Sequence, residues 1–313
     1  MSLTFQRSSI LATFAYRSIF HCSYTMSFYQ KWLVFYKPND LNSSDFTKIF
    51  EEFNKKQKKT LLSVNSSDQN SYYQSKLDRA KLISNVISFI PSVEMIALTG
   101  SVASYQPKES DDIDLLVICH PQTLWATRFI IILILELLHI RKRPQDLDIR
   151  DKICINLFLD RCSLTMPPAK QNLYTAHELL HAEPLFSRNN CYEQLLNDNQ
   201  WANQFLPTAF DWRQKFEVRE HPRSFKLLLI PFKLIEPLIR KISLAYMKKR
   251  QSSEKVSSTQ AFFHPNDYQN SIEQAFQKTL NLYNIDYHEF FYLPQHQKPV
   301  RISRGQVHSP KNK

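Results

Sequence analysis

The stretch Ala97–Cys119, ALTGSVASYQPKESDDIDLLVIC, carries one of only two glycines in a chain of 313 residues and runs from it into three aspartates. The other glycine is Gly305, whereas globular chains use roughly 7% glycine. A glycine that survives such a bias answers a steric demand. At the end of an apolar run, VEMIALTGS, Gly100 lets backbone N–H groups approach a phosphate closely, and the Ser101 hydroxyl adds a further donor. Downstream, Asp112 and Asp114 alternate with Ile113 and Leu115, so on a strand both carboxylates project from one face. Their spacing of about 7 Å suits a divalent cation, and Mg2+ is the ion that matches carboxylates plus phosphate oxygens.

The flanks supply a setting for this turn. YYQSKLDRAKLISNVISFI is amphipathic and predicts a helix ending at Pro91, after a polar turn around NSSDQNS. DDIDLLVIC and KICINLFLD read as two more strands, separated by the apolar run RFIIILILELLHI, which is too short to span a membrane and is broken by Glu136. Helix, strand, turn, strand, helix, strand argues for a mixed α/β unit.

Gly100-Ser101, a spacer, then Asp112-Ile113-Asp114 followed by Leu115-Leu116-Val117 resembles the signature of the nucleotidyltransferase superfamily typified by DNA polymerase beta. More widely, the order of this motif, TLWATRF, DKICINLFLD, NLYTAHELL and NQWANQFLP is similar to that of uncharacterised prokaryotic proteins carrying a minimal nucleotidyltransferase domain. The resemblance implies an α+β fold with a small mixed sheet, and transfer of a nucleoside monophosphate from a triphosphate to an acceptor hydroxyl with release of pyrophosphate. It assigns Gly100 and Ser101 to the nucleotide, and Asp112 and Asp114 to catalysis and to Mg2+ or Mn2+. The family adds a third carboxylate from a later strand; here the matching strand offers Asn156, so the third ligand is Asn156 itself or a nearby aspartate, Asp148, Asp151 or Asp160. Asn156 brings no charge, which leaves open a catalytically silent nucleotide- or nucleic-acid-binding module on the same fold.

Three segments are expected. Residues 1–75 hold three short helices and an extended piece, KTLLSV, which fit either a winged-helix module or a helical cap. Residues 76–164 form the nucleotidyltransferase-like domain. Residues 165–313 are expected to be helical, with a mobile QSSEKVSS stretch and a mobile basic tail. The first residues, free of acid before Asp40 and rich in Ser and Arg, also fit a transit peptide. The segment Phe225–Lys249 is amphipathic and predicts a helix packed on a partner or lying on a membrane surface.

The net charge of +11 and pI near 9.3 favour polyanionic partners, a nucleoside triphosphate, RNA or another acidic acceptor. Five scattered cysteines suggest neither a disulfide framework nor a zinc ribbon and point to a reducing, cytoplasmic setting. HELLH, His177–His181, matches the zinc-binding HExxH pattern, for which Glu193 is a candidate third ligand. Trp125 and Arg128 lie one helical turn apart and fit either a pocket edge or core packing, while Arg141, Lys142 and Arg143 fit either phosphate contact or helix capping.

Overall fold

The computed structural model describes residues 3–20, 25–37, 46–52, 66–105, 107–218, 220–222, 226–248, 255–256, 259–262 and 268–292. The chain opens with helices α1 (Leu3–Ser18) and α2 (Met26–Lys31), and residues 46–52 are helical too. The extended piece Lys59–Val64, most of QSSEKVSS and the basic tail lie outside the described residues.

Helix α3 (Ser66–Ser88) begins earlier than the sequence suggested and takes in Ser66–Ser71 of the expected polar turn, whose Asn65 lies outside the described residues. That stretch has neither Gly nor Pro, and its Ser and Asp residues suit a first helical turn. Strand β1 (Val93–Thr99) follows, then the one-turn helix α4 (Gly100–Ala103), strand β2 (Ile113–Cys119), helix α5 (Leu124–Leu137) and strand β3 (Ile153–Asp160). This is the mixed α/β order read from the sequence.

The sheet does not stop there. The stretch after Leu164, expected to be helical, supplies helices α6 (Leu173–His181) and α7 (Cys191–Asp198) but also strand β4 (Glu183–Arg188), which pairs antiparallel with β1. Two short helices, α8 (Ala202–Phe205) and α9 (Pro207–Gln214), lead to strand β5 (Glu220–His221) and helix α10 (Ile230–Lys248). Strands β6 (Lys255–Val256) and β7 (Gln260–Phe262) and helices α11 (Tyr268–Asn281) and α12 (Tyr287–Tyr292) complete the chain, and the strand order is β5-β4-β1-β2-β3-β7-β6. The added strands were hidden because none exceeds six residues and β4 holds a proline, so none shows a period-2 run.

Alternation along β1 and β2 divides the interior. Ile96, Leu98, Leu115 and Val117 face a core closed by Leu77, Ile83 and Ile87 of α3 and by Leu124, Trp125 and Ile131 of α5. Met95, Ala97, Leu116 and Ile118 face a second core with Ala12 and Tyr16 of α1, Leu180 of α6 and Phe276 of α11. That second core draws on all three sequence segments. Helix α10 lies against α5, where Phe232, Ile239 and Leu244 pack on the first core. Among the described residues no helix is long and apolar enough to cross a membrane.

Candidate metal centre

Gly100, the residue after β1 and the first of α4, lies in the left-handed region, with φ of +67°, where a side chain is strained. A second constraint acts on it. Thr99 and Asp114 are partners in the antiparallel β1–β2 register, which brings the Asp114 side chain over the glycine. A β-carbon at Gly100 would stand 3.1 Å from Asp114 Cβ and Cγ and closer still to Oδ2. The glycine therefore makes room for the carboxylate as well as for the turn.

Ser101 is held by an aspartate of the spacer loop. Its hydroxyl donates to Asp111 Oδ2 at 2.8 Å, and the same oxygen accepts the Lys108 N–H at 3.0 Å. Asp111 thus ties the spacer loop back to the glycine turn and fixes the entry to β2.

Asp112 and Asp114 come together as the strand period requires, and the parallel β2–β3 register sets Cys154 opposite Asp114. Ligand atoms of Asp112, Asp114 and Cys154 all lie within 4.8 Å of one another. Burial, with the Asp112 charge behind it, pushes Asp114 up to about 7, opposed by Lys142 and by a hydrogen bond from the Cys154 thiol. Burial and the two aspartates hold the Cys154 thiol well above its ordinary range, so it stays protonated. Lys142 Nζ lies 2.7 Å from Asp112 Oδ2 and balances part of the cluster's charge. Two half-buried carboxylates served by one lysine form a donor set that suits a divalent cation.

Of the other candidates, Asp148, Asp151 and Asp160 are not part of the cluster, while Asn156 lies beside it through Thr99. Asn156 falls where the β2–β3 register slips between Leu115 and Leu116, and its buried amide reaches Thr99 Oγ1 at 3.5 Å. Asn156 is the central polar residue of β3, whereas the register sets Cys154 opposite Asp114. Asp148 is exposed on the loop before β3, where it accepts the Arg150 N–H. Asp151 pairs with Lys76 at 2.6 Å, and Asp160, at the far end of β3, accepts the N–H groups of Gln122 and Cys162.

HELLH divides between two roles, neither of them a zinc site. His177 stacks on Tyr16 with ring centroids 4.2 Å apart, and His181 stacks on Trp32 at 3.6 Å while facing the Arg17 guanidinium at 3.1 Å. Burial drives both imidazoles well below their ordinary pKa and keeps them neutral. The buried Arg213 caps the helix end by donating to the carbonyls of Leu180 and His181. Glu178 between the histidines turns the other way. It is open to solvent yet hemmed by protein, which pushes it up to about 7, and its charge reaches Asp114. Helix α6, which carries this carboxylate, packs against α4 at the glycine turn.

Aromatic rings stand beside the turn. Tyr105, two residues past α4, lies 5.2 Å from the Tyr73 ring and 6.4 Å from Phe28, and is partly exposed. Trp125, by contrast, is fully buried in the first core, which settles its role as packing. Arg141 and Arg143 both bridge to Glu136, leaving only Lys142 of the three directed at the aspartates. Comparison with models of protein families, with curated proteins and with solved structures finds no match.

Proposed function

We propose that this chain is a nucleotidyltransferase of the polymerase beta-like class, dependent on Mg2+ or Mn2+, which moves a nucleoside monophosphate from a triphosphate to an acceptor hydroxyl. The observation that carries the reading is the fit of Asp114 over Gly100. A left-handed glycine and a paired-carboxylate strand are built against each other, so the turn for phosphate and the seat for metal form one unit.

Divalent ions held there would supply neutralisation of the triphosphate and of the charge that develops on the leaving pyrophosphate. Asp112 and Asp114 hold that charge, and backbone N–H groups after Gly100 receive phosphate oxygens. Lys142 is placed to exchange Asp112 for a phosphate oxygen once the cluster is otherwise neutralised. Tyr105 offers its face to the base. Glu178, with affinity for a proton near neutrality, takes the proton of the acceptor hydroxyl as the new O–P bond forms and the bond to pyrophosphate breaks. The net charge of +11 favours RNA or another acidic acceptor. The described cysteines are all free, which supports a cytoplasmic setting.

A second reading has its own observation. Cys154 stands where a third carboxylate would complete the cluster, and Lys142 already occupies Asp112. Both suit a module that binds nucleotide without transferring it. Pyrophosphate release from each of the four ribonucleoside triphosphates, with Mg2+ or Mn2+ and a mixed cell extract as acceptor, decides between them. Release that disappears in the Asp112→Asn, Asp114→Asn double variant establishes transfer. Nucleotide binding without release, lost in the same variant, establishes the silent module, and binding that survives the variant overturns both.

A further inference from the structure

Helix α10 is apolar on two sides. Phe232, Ile239 and Leu244 point inward onto the first core, and Glu236, the acid of this helix, turns inward with them. Its carboxylate accepts the backbone N–H groups of Trp125 at 3.0 Å and Ala126 at 2.8 Å, capping the first turn of α5. What remains outside is a row of large aliphatic side chains spaced four apart: Leu234 at 74% exposure, Leu238 at 60% and Ile242 at 56%, with Ile230 and Ile235 beside them. A surface helix ordinarily shows water its charged face.

The row has a neighbour. On α5, against which α10 packs, Phe129, Leu133 and Leu137 repeat the same spacing and are likewise exposed, Leu137 at 70%. A face of this size on a water-soluble surface marks a contact. Charge decides what the contact is with. Lys233, Arg240 and Lys241 are exposed along α10, while Glu236 is buried as a cap and Glu136 of α5 is bridged by Arg141 and Arg143. The face therefore combines aliphatic side chains with three exposed cations. A second copy of the chain would bring the same positive charge and be repelled. An anionic bilayer complements both features, with aliphatic side chains entering the headgroup boundary and ammonium and guanidinium groups meeting lipid phosphates and carboxylates.

We propose that the outer faces of α10 and α5 form a docking surface for anionic lipid bilayers, on which the protein lies without spanning them. The surface is separate from the metal centre, so this inference stands or falls independently of nucleotidyl transfer. The experiment is cosedimentation of the full chain with vesicles of phosphatidylcholine and phosphatidylserine, set against vesicles of phosphatidylcholine alone. We expect binding to the mixed vesicles that weakens with added salt. It is lost in Leu234→Glu, Leu238→Glu, and a Lys233→Gln, Arg240→Gln, Lys241→Gln variant binds at least about tenfold more weakly, since each cation near such a surface is worth about 1 kcal/mol. All five positions are exposed, so thermal unfolding of both variants should match the parent. Absence of binding to mixed vesicles, or equal binding to neutral ones, overturns the proposal. Self-association in light scattering that Leu234→Glu, Leu238→Glu abolishes, without vesicle binding, assigns the face to a second copy instead.

Discussion

The carboxylate of Asp114 fills the space over Gly100 that a β-carbon would need. The two residues are therefore one device: the strand register delivers the acid, and the missing side chain admits it.

Gly100→Ala is accordingly expected to destabilise the fold, by about 1–3 kcal/mol from the left-handed backbone alone and further from the clash with Asp114. Asp114→Ala removes the clashing group. In a double-mutant cycle followed by chemical unfolding, Gly100→Ala should cost clearly less in the Asp114→Ala background than in the parent. Equal costs in the two backgrounds would show that the carboxylate does not constrain the glycine.

Cys154→Asp places a third carboxylate where β3 approaches Asp114. Without metal it adds like charge to a partly buried cluster that Lys142 only partly balances, so the melting temperature should fall. Added Mg2+ should restore it, because ligand that binds only the folded state stabilises by mass action. A variant whose melting temperature ignores Mg2+ would count against a metal centre at this position.

Gly100, Asp112 and Asp114 were legible because each rests on local geometry, a turn that needs glycine and a strand that repeats every two residues. Cys154 was not, because the residue opposite Asp114 depends on a parallel register between distant strands, which leaves no local trace. Glu178 was visible only as the middle of an apparent zinc motif; the direction it faces was decided by Trp32 and Tyr16, which draw the flanking histidines into the second core. The sheet was read correctly through β3 and cut short beyond it, where the remaining strands are brief and borrow their stability from neighbours already in place.

Lys76 shows how the spacer loop is held. Its buried ammonium donates to the carbonyls of Glu109 and Asp111, at 3.1 and 2.7 Å, and to Asp151 at 2.6 Å. All three donor positions are filled. Lys76→Met keeps the aliphatic stem but removes the ammonium's donors from the Glu109 and Asp111 carbonyls, and is expected to cost about 1–3 kcal/mol. Asp151→Asn, which leaves both carbonyl contacts intact and alters a partly exposed partner, should cost less than about 1 kcal/mol. Unfolding in urea compares the two, and a reversed order would mean that the ion pair rather than the loop carbonyls is the anchor.

The stacked histidines weaken the fold as the pH falls. Burial lowers the pKa of His177 and His181 in the folded chain well below the roughly 6.5 of an unfolded one. Above that pH both states leave the rings neutral and stability does not change on their account. Below it the unfolded chain takes up two protons that the folded chain refuses, so stability falls with falling pH by up to about 1.4 kcal/mol per unit for each ring. His177→Phe keeps a ring against Tyr16 and removes a group whose two nitrogens have no hydrogen-bond partner among the described residues. Its melting temperature should therefore fall less steeply than the parent's between pH 6.5 and the acid limit, where the comparison cancels every other titrating group. Parallel curves for variant and parent would mean that His177 accepts a proton in the folded state, and that the core around it opens to admit one.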